Sequence, residues 1–254
     1  VKTRYFIRCS YDGTSFSGWQ EQKNTKNTIQ TIVNQILKSA LGEKIVTTGC
    51  GRTDAGVHAR EFYFNLDSED PNLAEDKQKW LYKFNRMLPG EIVFHDILEV
   101  GPDVSSRWDA IRRTYRYYIT RKKDPFLINR AWYFYGDIDL KKMREASEIL
   151  LEQKDFAAFC KARGQQKTTL CKVDNATWIE ENDMLIFTIS ADRFLRNMVR
   201  AITGTLIDVG KGKIGIDQFR DIIIKKKRTG AGLSVPAWGL YLEKVEYAED
   251  IFVK

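Results

Sequence analysis

The sequence predicts an α+β fold in two similar halves, each pairing an antiparallel or mixed sheet with helices on its outer side. Three observations carry that expectation. Apolar residues recur at helical spacing over 29–41, 139–150 and 194–209. Side-chain character alternates over 110–119, as in a strand with two different faces. The order strands, helix, strands, helix runs through the chain about twice, without any repeated sequence. With 254 residues and 43% hydrophobic content, the chain has material for one large or two small domains. The expected halves are 1–103 and 104–254.

In the first half, residues 4–9 read as a strand with an apolar middle. A turn at Tyr11-Asp12-Gly13-Thr14 follows, then a loop or short strand over SFSGWQEQ. Asn27 is the expected cap of the first helix, with Gln30 three places on as a capping-box variant. Ile29, Ile32, Val33, Ile36 and Leu37 form its apolar stripe, and Gly42 ends it. Residues 45–66 read as two strands around a glycine-rich stretch, with Phe62 and Phe64 on one side of the second. A short helix over 80–87 stops at Leu88-Pro89-Gly90, and a strand over 92–100 follows.

The second half opens with the alternating strand and a shorter one over 132–135. Asp139 starts a helix with Leu140, Met143, Ala146, Ile149 and Leu150 on one side. Strands around 178–179 and 184–189 flank Glu181-Asn182-Asp183, a hairpin turn. A long helix over 194–209, a shorter one over 217–225 and a last strand over 240–247 complete the chain. The cations Lys225 to Arg228 close a helix before a glycine-rich loop, where they suit the helix C-terminus whatever the function.

Lys and Arg number 41 against 34 Asp and Glu, a net charge of +7, which suits a polyanionic partner. The four cysteines, at 9, 50, 160 and 171, form no C-x-x-C pair, which argues against a zinc site. Their spacing fits reduced thiols, and no apolar run resembles a signal peptide or a membrane span. The expected location is therefore the cytoplasm.

Residues 51–60, GRTDAGVHAR, concentrate candidate chemistry. Glycines at 49, 51 and 56 permit tight turns and the close approach of a large partner. Asp54 is a candidate nucleophile or general base, and Arg52 a cation that would hold it ionised. The same residues also read as ordinary turn chemistry. Asp12, Asp54 and His58 have no companion ligand at recognisable spacing, so no metal is expected. The stretch also lacks the Lys-Ser/Thr ending of a phosphate-binding P-loop.

Two further segments combine cations with apolar or aromatic residues. On a strand, Arg113, Tyr115, Tyr117 and Ile119 share one face, and Arg112, Thr114, Arg116 and Tyr118 the other. Such a face can hold phosphates and stack a base. It equally describes an amphipathic strand with packed tyrosines and snorkelling arginines. On the helix expected over 194–209, Arg193, Arg196 and Arg200 fall almost opposite the apolar set Leu195, Val199, Ile202 and Leu206. That stripe is either phosphate-facing or simply solvated.

Taken together, the chain resembles the tRNA pseudouridine synthase A family. The resemblance rests on YDGTSFSGWQEQ (11–22), TIQ (28–30), GRTDAGVHA (51–59), NRMLP (85–89) and SRWDAIRRTYRYYI (106–119). It continues through DFAAF (155–159), RFLRNMVRAITGTLIDVGKG (193–212) and PAWGLYLEKVEY (236–247). It implies two α+β halves about a pseudo-two-fold axis, with sheets meeting beside a central cleft, in a homodimer. It also implies cofactor-free isomerisation of uridine in the tRNA anticodon stem-loop, at positions 38 to 40. Carried over residue by residue, Asp54 matches the catalytic aspartate and Tyr115 the tyrosine that stacks on the target base. Arg52 matches the motif arginine, Arg200 an active-site arginine that can pair with the aspartate, and Leu240 a pocket-wall leucine. Arg113, Arg193 and Arg196 are the expected additional RNA contacts. The sequence departs from the family pattern at Cys171, where many members have arginine, and at Glu152-Gln153, before the DF pair. Two other classes stay open from the residues alone: a non-catalytic RNA-binding protein and a metal-dependent hydrolase.

Overall fold

A computed structural model describes residues 2–160 and 168–253. Its chain is α+β with a mixed sheet. The packing separates two units, Val1–Ile111 with Leu242–Lys254, and Arg112–Tyr241. The last strand, from Leu242 onward, thus groups with the N-terminal residues. No helix among the described residues is long and apolar enough to cross a membrane.

In the first unit, β1 (Thr3–Tyr11) lies antiparallel between β3 (His58–Ser68) and β4 (Ile92–Val100). The short β2 (Thr48–Gly49) pairs with the far part of β3, opposite Asn65 and Phe64. Strict alternation sends Phe62, Phe64 and Leu66 of β3 into the core, where Trp19 lies 4.1 Å from Phe62 and 5.6 Å from Phe64 between ring centres. Two helices complete this core, α1 (Ile29–Leu41) and α2 (Lys77–Met87). Ile29, Val33 and Leu37 are buried on α1, and Phe84 of α2 meets Phe94 of β4 at 5.9 Å. Burying one such side chain stabilises by about 1.5–3 kcal/mol.

The expected cap of α1 shifts by one residue. Thr28 is the N-cap, its hydroxyl accepting from the Thr31 amide. Asn27 instead donates through Nδ2 to the Ser15 carbonyl at 2.6 Å. Gln30 is also recruited away from capping: it donates to the Thr47 carbonyl and accepts from Gln20 and Glu21. Tertiary hydrogen bonds therefore took the two residues whose spacing imitated a capping box.

In the second unit, β5 (Ala110–Thr120) pairs antiparallel with β8 (Met184–Ala191), which pairs with β7 (Val173–Glu181). Asn182 and Asp183 both take positive φ, 50° and 62°, the two-residue hairpin turn that matches strand twist. The short strand expected over 132–135 reduces to β6 (Trp132–Tyr133), parallel to the end of β5. Three helices belong to this unit: α3 (Leu140–Glu152) between β6 and β7, and α4 (Met198–Gly210) and α5 (Ile216–Lys225) after β8. Asp139 caps α3 as expected, accepting from the Lys142 amide at 3.0 Å. The last strand, β9 (Leu240–Tyr247), begins in this unit and ends in the first.

Helix α4 is buried almost all round, which explains its run of small residues. Gly204 lies against the Leu233 carbonyl and Gly210 against Met143 and Ile138, closer than a Cβ would permit. Residues 231–236 consequently lie as a strap along α4. The Gly232 amide donates to Thr205 Oγ1 at 3.0 Å and the Val235 amide to the Arg200 carbonyl at 3.2 Å.

Candidate active site

The glycine-rich stretch becomes the loop between β2 and β3, and it is clamped rather than loose. Asp54 opens a tight turn: the Val57 amide donates to the Asp54 carbonyl at 3.2 Å, and Gly56 takes φ 79°. Positive φ at that position suits glycine, so Gly56 is required by the turn. Thr53 before it is buried, accepting from Trp19 N through its carbonyl at 3.3 Å and meeting Tyr11 Oη through Oγ1 at 2.9 Å. Val57 and His58 after it are buried too. Asp54 itself is half-buried between these anchors. A carboxylate on a turn fixed at both ends is presented rather than packed away.

Arg52 is exposed, two residues before Asp54 on the same loop. The companions of the loop lie in the turn 11–14. His58 Nδ1 is 3.0 Å from Asp12 Oδ1 and 3.1 Å from the Gly13 amide nitrogen. Protonated, it donates to Asp12; unprotonated, it accepts from Gly13. The sequence grouped Asp12 with His58 only as conceivable metal ligands beside Asp54, and did not show the hydrogen bond between them. Among the described residues no group of three or more His, Cys, Asp or Glu is placed to hold a metal.

In the second unit, β5 keeps the alternation expected for it. Its pairing with β8 runs from Arg113–Ala191 to Thr120–Met184 without a bulge. Tyr115 is half-buried and meets Phe194 edge-to-face at 5.0 Å. On the same face, Tyr117 is fully buried and donates to the Pro236 carbonyl at 2.8 Å. Burial raises the Tyr117 phenol far above its ordinary value, and the Arg200 guanidinium offsets only part of that. Arg113 donates to the Asp192 carbonyl at 2.8 Å. On the other face Arg112 pairs with Asp174 at 2.7 Å. Leu240 is buried at the start of β9, beside Gly239, which packs against the Tyr117 ring.

The arginine stripe expected on one helix is not there. Helix α4 starts at Met198 rather than 194, because Asn197 adopts left-handed backbone with φ 67°. Upstream, Asp192 Oδ1 accepts from the amides of Lys172 and Arg193, which holds the chain in a turn. Arg193 follows this bend in irregular chain, Arg196 lies in the turn closed by the Met198 amide on the Leu195 carbonyl, and of the three only Arg200 is helical. Arg200 donates through Nε to the Val235 carbonyl at 2.8 Å. Arg200 and Tyr117 are thus both tied to the strap, at adjacent residues 235 and 236.

The two departures from the family pattern come together. Glu152, Gln153 and Cys171 line one cavity with Lys154, Lys172 and Asp192. Burial pushes the Cys171 thiol up to about 12, so it stays protonated at neutral pH.

A family model described as tRNA pseudouridine synthase matches residues 146–248. A protein from Parabacteroides distasonis named tRNA pseudouridine synthase A is 43% identical over 249 residues, covering 98% of each chain. One of the same name from Bacteroides fragilis is 44% identical over 250 residues, again covering 98% of both. The likeness extends to Caldicellulosiruptor bescii, whose protein of that name is 41% identical over 245 residues, covering 95% of this chain and 98% of its own.

Proposed function

The chain belongs to the tRNA pseudouridine synthase A family, and on that premise we propose that Asp54 is the carboxylate through which it isomerises uridine in tRNA. The reaction breaks the N1–C1′ bond, turns the uracil and joins C5 to C1′. The proton lost from C5 is balanced by the one gained at N1. Nothing is oxidised and no group leaves, so the step itself calls for neither metal nor redox cofactor. What it calls for is an anion that acts at the sugar or the base, a surface that holds the extruded nucleotide, and a way to move one proton. The observation that carries the reading is the clamped turn, which presents Asp54 half-buried between the buried anchors Thr53 and Val57.

The finer assignments follow the family resemblance. By that resemblance Tyr115 stacks on the target base, Arg200 can pair with the catalytic carboxylate and Leu240 is a pocket-wall residue. The substrates are uridines 38 to 40 of the anticodon stem-loop, bound by a cytoplasmic homodimer. Extruding a stacked base costs a few kcal/mol, which the stacking on Tyr115 and the cations Arg52, Arg113, Arg193, Arg196 and Arg200 would offset. Tritium release from tRNA carrying 5-tritiated uridine reads the reaction directly, and mapping of pseudouridine in the product tests the positions. Pseudouridine formed only outside the anticodon stem-loop would overturn the substrate assignment.

Two substitutions separate the roles in the second unit. Tyr115→Phe keeps the ring but loses the hydroxyl. It is expected to bind tRNA normally and to slow tritium release about 10- to 100-fold, the share of a proton relay. Unchanged turnover would make the hydroxyl a spectator. Arg200→Ala is expected to lower turnover about 100-fold with little change in tRNA affinity. A loss in affinity alone would reassign Arg200 as a phosphate clamp.

A further inference from the structure

We propose that Asp12 and His58 are a positioning pair that sets where the Asp54 carboxylate stands. The inference rests on the reading of Asp54 as the reacting group, and adds the means by which that group is held. Only residues 54–57 separate the two anchors of the loop. The first anchor is Thr53, bonded to Tyr11 and Trp19, with Gly18 packed against its carbonyl. The second is His58, whose side chain is 2% exposed and whose Nδ1 faces Asp12 and Gly13.

Asp12 is itself immobilised. Its amide donates to the Glu91 carbonyl at 2.9 Å, and its Oδ1 accepts from Thr14 N at 3.0 Å and Thr14 Oγ1 at 2.6 Å. The ladders of β1 shift register at Cys9–Tyr11 against β3 and at Arg8–Cys9 against β4, at the end of β1 that leads into Asp12. Gly13 then sits against the Val57 carbonyl with no room for a Cβ. The circuit closes through Phe16, whose amide donates to the Gly13 carbonyl at 3.0 Å and whose carbonyl accepts from Gly56 at 3.4 Å.

A histidine filling a core needs its ring nitrogens satisfied, but by no particular neighbour. Here the partners of Nδ1 come from the turn that also grips Val57 and Gly56, four residues or fewer from Asp54. Removing the pair takes away the side-chain tie at the second anchor and leaves that end of the loop on main-chain contacts, Gly56 to Phe16 and Val57 against Gly13. A misplacement of about 1 Å is enough to cost on the order of 100-fold in rate. His58 and Asp12 thereby act through Asp54.

The test compares Asp12→Ala, His58→Ala and His58→Asn in single-turnover tritium release and in tRNA binding. An asparagine side chain restores a hydrogen-bonding atom near the place of Nδ1. The expected result is a rate lowered about 10- to 100-fold for both alanine variants, with tRNA dissociation constants within about threefold of the parent. His58→Asn should recover to within about fivefold of the parent rate. If His58→Ala does not fold, Asp12→Ala and His58→Asn carry the comparison. Rates unchanged within about threefold, a loss confined to tRNA affinity, or a His58→Asn variant as slow as the alanine variants would each overturn the pair. With Asp54→Ala inactive in the same assay, those outcomes remove the positioning role alone. An active Asp54→Ala variant would remove the reading beneath it.

Discussion

Asp54→Ala is expected to reduce tritium release from 5-tritiated uridine in tRNA by at least about 1,000-fold, with tRNA binding and folding retained. The separation of rate from stability follows from how the residue is held. The turn is closed by the Asp54 main-chain carbonyl, which an alanine keeps, and its positive φ belongs to Gly56. The anchors on either side use Thr53, Val57 and His58. Alanine therefore removes a charge from an intact frame. Asp54→Asn should be nearly as slow, since an amide keeps the shape but supplies no anion. Full activity in either variant would sink the assignment of Asp54. An inactive variant that no longer binds tRNA would show a binding role in place of a reacting one.

Gly204→Ala is expected to lower the melting temperature by about 5 °C and turnover about tenfold. Helix propensity alone argues the opposite, since alanine is favoured over glycine in a helix interior by about 1 kcal/mol. The tertiary contact outweighs it. A Cβ at 204 would overlap the Leu233 carbonyl oxygen, and main chain cannot yield as a flexible side chain does. Overpacking of this kind costs about 1–3 kcal/mol, at times more. For a chain of this size each kcal/mol corresponds to roughly 2–4 °C. The same displacement moves the strap whose Val235 and Pro236 carbonyls hold Arg200 and Tyr117. A raised melting temperature with normal turnover would mean that the strap moves aside at no cost.

Much of this was legible along the chain. The α+β class, the start of α3 at Asp139 and the alternation of β5 follow from short-range patterning, and the structure keeps them. The limits of such patterning appear at particular residues. Asn27 and Gln30 have capping-box spacing, yet each bonds to a distant loop, so the cap falls on Thr28. Arg193, Arg196 and Arg200 have helical spacing, yet Asn197 turns left-handed between them and the stripe dissolves. Periodicity counts residues and cannot see a single reversed φ.

The sequence by itself determined the family and, through the resemblance, the residues on which the chemistry is proposed to turn. These are properties of residue type and order, which short motifs carry. Tertiary structure alone decided what holds those residues in place. Asp12 and His58 meet across 46 residues, and Tyr117 reaches the strap across 119. Such contacts depend on β1 lying beside β3 and on α4 admitting main chain at Gly204. They arise from packing between elements, which no local pattern encodes.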